Sequence, residues 1–67
     1  MRKFGVAGLG LIGGSIASAL KKQGHRVVGV ENDPDVSAFA LSCGIVDEIG
    51  GLEALRGAEA VFVCVPL

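Results

Sequence analysis

No apolar run in this 67-residue chain approaches the ~20 residues that a membrane-crossing helix needs. The basic start Met1-Arg2-Lys3 is followed by Gly5 and by glycines from Gly8 to Gly14, so the unbroken apolar core of a secretory signal is missing too. A native start at Met1 and a cytoplasmic protein are the expectation. There is no surplus of positive charge. Six Lys and Arg stand against seven Asp and Glu, for a formal net charge of −1, and nucleic acid as a partner would need a basic face. Lys21, Lys22 and Arg26 lie close together, but lysines in a last helical turn suit the helix dipole. The chain has only two cysteines, Cys43 and Cys64, without C-x-x-C spacing or a neighbouring histidine. Zinc and a disulfide are therefore not expected, and both are read as small buried hydrophobes. The single histidine, His25, falls before a strand, on the side of a parallel sheet away from its ligand-binding end, and is given no catalytic part. Linkers, repeats and low-complexity stretches are also lacking.

What is present is apolar and regularly broken by glycine. Hydrophobic residues make up 51% of the chain and mean hydropathy is +0.62, as expected where strands are buried on both faces. Residues 3–8 read as a first strand. Residues 12–23 read as a helix with Ile12, Ile16 and Leu20 on one face, Ala17 and Ala19 leaving room for close packing, and Gly24 as its left-handed stop. Residues 26–31 form a second strand. Asp33-Pro34 starts a second helix that carries Val36, Phe39, Ala40 and Cys43 at helical spacing and stops at Gly44. A short third strand falls within 45–49, and one or two helical turns within 51–57, with Leu52 and Leu55 inward. Residues 60–65 form a fourth strand, apolar enough to be covered on both faces. Alternating strand and helix with right-handed crossovers imply an α/β fold. Its parallel sheet has the order 3-2-1-4, the first half of a doubly wound, Rossmann-type dinucleotide-binding domain.

The sharpest motif is Gly8-Leu9-Gly10-Leu11-Ile12-Gly13-Gly14-Ser15. It leaves a strand and enters a helix. Gly8 permits a tight turn, Gly10 lets a diphosphate reach the backbone, and Gly13 lets the helix approach the sheet. The N–H groups of Leu11, Ile12 and Gly13 have no helical partner and point at the ligand, where the helix dipole favours negative charge. Ser15 either adds a hydroxyl there or bonds to a backbone carbonyl. Glu31 ends the second strand about 20 residues further on, placed to grip the adenosine ribose. A carboxylate there accepts from both ribose hydroxyls and repels a 2′-phosphate. Asn32, Asp33 and Asp35 follow with no basic residue, so NAD is expected over NADP. Nucleoside triphosphate hydrolysis is not expected, because Gly14 stands where the phosphate-loop lysine would be. Val65-Pro66 closes the fourth strand on the ligand side, near the expected path of the riboses and nicotinamide.

These residues resemble the opening of the prephenate and arogenate dehydrogenases. So do Val28-Gly29-Val30-Glu31-Asn32-Asp33-Pro34, Gly44-Ile45-Val46-Asp47-Glu48 and Val61-Phe62-Val63-Cys64-Val65-Pro66. The resemblance covers essentially the whole chain, and Leu11-Ile12-Gly13-Gly14-Ser15 is its specific part. Two positions depart from the family pattern: Glu31, where aspartate is frequent, and Asn32, where a basic residue is common. The resemblance implies an NAD-dependent oxidative decarboxylation in tyrosine biosynthesis, with hydride passing from the ring carbon that bears the hydroxyl to the nicotinamide. It carries cofactor-binding roles to Gly8, Gly10, Leu11, Ile12, Gly13, Glu31, Asn32, Val65 and Pro66. The family's catalytic and substrate-binding residues and its dimerisation domain lie beyond the fourth strand. Residues 1–67 are thus read as the first part of a dinucleotide-binding domain, with no catalytic or metal-binding residue and no small-molecule substrate of its own. A stand-alone nucleotide-binding half-domain and a sister-family 3-hydroxyacid dehydrogenase are the other readings. In the order 3-2-1-4 the fourth strand is an edge, and an apolar edge invites pairing with a second copy.

Overall fold

The computed structural model describes residues 2–64. Seven elements follow one another: β1 (Lys3–Ala7), α1 (Leu11–Lys22), β2 (Arg26–Val30), α2 (Pro34–Ser42), β3 (Glu48–Ile49), a 3₁₀ turn (Leu52–Leu55) and β4 (Ala60–Val63). The sheet is parallel, with the order β3-β2-β1-β4. Phe4 stands between Val27 and Ala60, and Val6 between Gly29 and Phe62. The expected architecture and strand order are therefore those found.

Local chemistry sets the element ends. α1 runs out at Gln23, and Gly24 follows at φ +86°, a conformation that side chains resist. Asp33 caps α2, its carboxylate accepting from the amides of Asp35 (2.9 Å) and Val36 (3.4 Å), with Pro34 in the first turn. Beyond α2, the amides of Ile45 and Val46 both turn back to the Ala40 carbonyl. The short third strand expected within 45–49 is accordingly Glu48–Ile49: Ile45 and Val46 close the helix, and the Asp47 amide is the first to reach β2, at the Val27 carbonyl. The first two strands each end one residue early, at Ala7 and Val30; Gly8 takes φ +92° while its amide still donates to the Val30 carbonyl.

One core layer lies between the sheet and the two helices. Val6, Leu9, Ala17, Val27, Ala40 and Val46 are buried together, with Ile16, Leu20, Val36, Ile45 and Ile49 packed around them. Asp47 fastens the far end of α1 to this layer. It accepts from the Val27 amide (2.7 Å) and from Lys21 Nζ (2.6 Å). Partial burial pushes its carboxyl pKa up, but the Lys21 hydrogen bond and charge, with the Val27 amide, hold it below the usual carboxylate range.

Burial departs from the sequence reading at several residues. Ile12 is 71% exposed, because the first turn of α1 projects past the strand ends while Ile16 and Leu20 reach the core. Ala19 is exposed as well, leaving Ala17 to make the close contact. Phe39 on α2 (63% exposed) and Cys43 at its C-cap are both exposed, and the buried residue of the helix is Ala40. Cys43 is therefore not the buried hydrophobe expected, and Cys64 is half-buried. The 51–57 segment is a single 3₁₀ turn that half-buries Leu55 but leaves Leu52 79% exposed. All of β4 is exposed, rather than covered on both faces. α1 packs over β1 and β2 and α2 beside β3, on one side of the sheet, and among the described residues the opposite side carries only the 3₁₀ turn.

Candidate functional site

The strand C-termini open onto a cleft of about 660 Å³. Gly8, Gly10, Leu11 and Ile12 form one wall, Glu31, Asn32 and Asp33 another, and Ala7, Val30, Val36 and Cys64 line the rest. The cleft lies where the chain reverses direction across the sheet, β2 to one side of β1 and β4 to the other. Such a reversal is where open α/β sheets hold their ligands.

The glycine turn is built from both ends. Gly8 has φ +92°, and its amide donates to the Val30 carbonyl at 2.8 Å. Leu9 buries its side chain in the core, while its amide donates to Glu31 Oε1 at 2.7 Å. Gly10 is extended, with φ −66° and ψ −161°, and offers no side-chain cap. The ladder of α1 begins with the Gly14 amide on the Gly10 carbonyl at 2.7 Å. The amides of Gly10, Leu11, Ile12 and Gly13 therefore have no acceptor among the described residues. Four adjacent free donors at a helix start make an anion site. A Cβ built on Gly10 would meet nothing within 4 Å, so the space before these donors is open. Gly13 is tight instead: a Cβ there would lie 2.9 Å from the Gly8 carbonyl carbon and closer still to its oxygen. Ser15 Oγ donates to the Leu11 carbonyl at 2.9 Å, which is the backbone-bonded alternative for that hydroxyl.

Glu31 faces the turn across the cleft. Its Oε2 accepts from the Asp33 amide at 3.0 Å while Oε1 holds Leu9. These amides, Asp33 first, outweigh a small desolvation and keep its pKa below the ordinary carboxylate value, so the group is anionic at neutral pH. Asn32 is exposed at the rim, and Leu11 (91% exposed) stands at the mouth. The structure thus brings Gly8, Gly10, Leu11, Ile12, Glu31 and Asn32 around one space, with Gly13 buried behind it against the Gly8 carbonyl. Val65 and Pro66 lie outside the described residues. His25 is at the opposite end of the sheet, edge-on to Phe4 at 5.0 Å between ring centroids.

Five cleft residues were not singled out from the sequence as site residues: Ala7, Val30, Asp33, Val36 and Cys64. The parallel register offers the signal for Cys64. Its amide donates to the Ala7 carbonyl at 2.7 Å, so it must emerge beside the glycine turn. A second groove of about 810 Å³ runs between α1 and α2 past Leu11, Ala19, Val36 and Phe39. It is the larger of the two, but neither Glu31 nor Gly8 and Ile12 of the glycine turn line it. The chemistry for a phosphorylated ligand is in the smaller cleft. Among the described residues no three potential metal ligands cluster, and no helix is long and apolar enough to cross a membrane.

Comparison with known proteins points the same way. Residues 16–67 match the family described as prephenate dehydrogenase, nucleotide-binding domain. A prephenate dehydrogenase of Bacillus subtilis (strain 168) is 36% identical over 66 residues, covering 92% of this chain and 18% of its own length. The crystal structure of Synechocystis arogenate dehydrogenase superposes with a TM-score of 0.92 at 41% identity, covering 97% of this chain and 24% of that one. The prephenate dehydrogenase from A. aeolicus, in complex with hydroxyphenyl propionate and NAD+, superposes with a TM-score of 0.82 at 27% identity, covering 98% and 25%. The chain thus spans about a quarter or less of these relatives.

Proposed function

The chain belongs to the prephenate dehydrogenase nucleotide-binding family, and from that membership we propose that it is the NAD-holding part of a prephenate or arogenate dehydrogenase. The observation that carries the reading is the row of free amides from Gly10 to Gly13, opening onto the cleft at Gly10, Leu11 and Ile12 beside an anionic Glu31. In this reading the amides seat the diphosphate, Glu31 and Asn32 take the adenosine ribose, and Val65 and Pro66 border the path toward the nicotinamide. NAD, when bound, supplies the hydride acceptor for an oxidative decarboxylation. This chain's residues bind and orient it, and catalytic and substrate-binding groups come from the remainder of a longer enzyme. The NAD-bound relative from A. aeolicus supports NAD as the ligand.

Charge decides between the two nicotinamide cofactors. The Glu31 carboxylate would face the 2′-phosphate of NADP, and the next residues, Asn32 and Asp33, offer no cation. Like charges at such range cost enough that NAD should bind at least about tenfold more tightly, on the order of 1.4 kcal/mol. Calorimetric titration of the chain with each cofactor checks this. Equal or tighter NADP binding, or binding of neither, would overturn the assignment.

The outer edge of β4 offers a second contact. Ala60, Val61, Phe62 and Val63 are exposed, and among the described residues β4 pairs with β1 alone. An apolar strand with unpaired backbone groups is a template for another copy. Light scattering of the 67-residue chain should show a mass that rises with concentration, and a constant monomeric mass would dismiss the contact.

A further inference from the structure

We propose that Glu31 is a positioning residue for the diphosphate seat, acting on the glycine turn itself, in addition to the ribose contact on which the reading above relies. The inference rests on that reading. The turn is tied to the end of β2 by two successive bonds, the Gly8 amide to the Val30 carbonyl and the Leu9 amide to Glu31 Oε1. From there until Gly14 no amide is bonded among the described residues, so the free donors hang from Leu9 as their last anchor. The Leu9 side chain is fixed in the core, which sets where the residue sits. Glu31 sets which way its amide turns, and with it the plane from which the Gly10 amide projects. The other carboxylate oxygen grips the Asp33 amide, in the loop that begins α2. One side chain therefore bridges the two walls of the cleft. A carboxylate has about four lone-pair sites, more than these backbone amides occupy, so capacity remains for a ribose hydroxyl.

This role gives a sign opposite to simple electrostatics. An anion beside a diphosphate seat repels the ligand, so neutralising Glu31 would strengthen binding of any diphosphate if charge and ribose contact were its only functions. If it orients the turn, neutralising it weakens that binding. Glu31→Gln puts an amide donor against either Leu9 N–H or Asp33 N–H, and Glu31→Asp keeps the charge but is too short to reach both amides.

The test uses inorganic pyrophosphate, which has no ribose, alongside NAD. Amide NMR spectra of the wild-type chain, E31Q and E31D are followed during titration with each probe, and core signals of Val6 and Val27 report that each variant is folded. The expected result is that pyrophosphate binds E31Q about tenfold more weakly than wild type, with E31D weakened as well despite its charge. Hydrogen exchange at the Leu9 amide should quicken in both. Pyrophosphate binding that is unchanged or tighter in E31Q, with NAD alone weakened, would overturn the proposal and leave Glu31 a ribose contact. Wild type that binds NAD but not pyrophosphate would overturn it too. Wild type that binds neither would instead remove the nucleotide-site reading on which it stands. Should E31Q lose its core signals, E31D and the exchange rate at Leu9 decide.

Discussion

Gly13→Ala is expected to remove a large part of the chain's folding stability. The new methyl would sit 2.9 Å from the Gly8 carbonyl carbon, nearer still to its oxygen, and 3.3 Å from Cys64 Cβ. Its nearest neighbours are backbone atoms, which cannot rotate aside as a side-chain end can. α1 would have to lift from the turn. Ala17, fully buried one turn further along the same face, would lose its contact, and Ile16 and Leu20 would follow. Overpacking against yielding side chains costs about 1–3 kcal/mol, and rigid backbone puts this site at or above the upper end. Alanine's better helix propensity offsets about 1 kcal/mol. A domain this small has on the order of 3–10 kcal/mol in total. Gly14→Ala is the matched control: its Cβ meets only the Leu9 carbonyl oxygen, at 3.6 Å, so there the propensity gain stands alone. Urea unfolding followed by circular dichroism should show a lost or strongly lowered midpoint for Gly13→Ala and an unchanged or raised one for Gly14→Ala. Equal midpoints would mean that helix and turn do not approach as closely as the structure has them.

The features legible in the sequence are those set by local chemistry. Gly8 and Gly24 take positive φ where a turn demands it, Asp33 caps its helix, and parallel pairing with the order β3-β2-β1-β4 follows from alternation and crossover hand. The glycine spacing and the acid after β2 likewise named most of the cleft. The features that stayed hidden depend on what lies opposite a residue. Helical spacing put Phe39 with Ala40 and Leu52 with Leu55, but period says which residues share a face and nothing about whether a partner covers it. The sequence places the third strand only within 45–49, and its bounds are set by the amides of Ile45 and Val46, which close α2. Glu31 shows the same limit at the site. Its position was readable from spacing, but its bonds to Leu9 and Asp33 arise only when two loops 22 and two residues away in sequence fold over the same strand end.

Gly10→Ala should separate binding from folding. Gly10 has φ −66°, which alanine adopts freely, and its Cβ would meet no atom within 4 Å. Stiffening the unfolded chain favours the variant by about 0.4–1 kcal/mol. Alanine is a clearly poorer N-cap than glycine, by about 0.5–1 kcal/mol, so the two effects offset and the thermal midpoint should barely move. The methyl would nonetheless stand in the open space through which a diphosphate reaches the amides of Leu11, Ile12 and Gly13. Displacing the ligand from two such charge-assisted bonds costs about 3 kcal/mol or more, and NAD affinity should fall about 100-fold. Calorimetry and a thermal melt on the same sample read both quantities. Undiminished NAD affinity in Gly10→Ala would show that the diphosphate does not rest on these amides. A collapse of the melt would show that the space is already filled by the chain itself. The expected pattern, intact fold with lost affinity, is the reverse of the one at Gly13, three residues along the same turn, because one glycine faces the ligand and the other faces the protein.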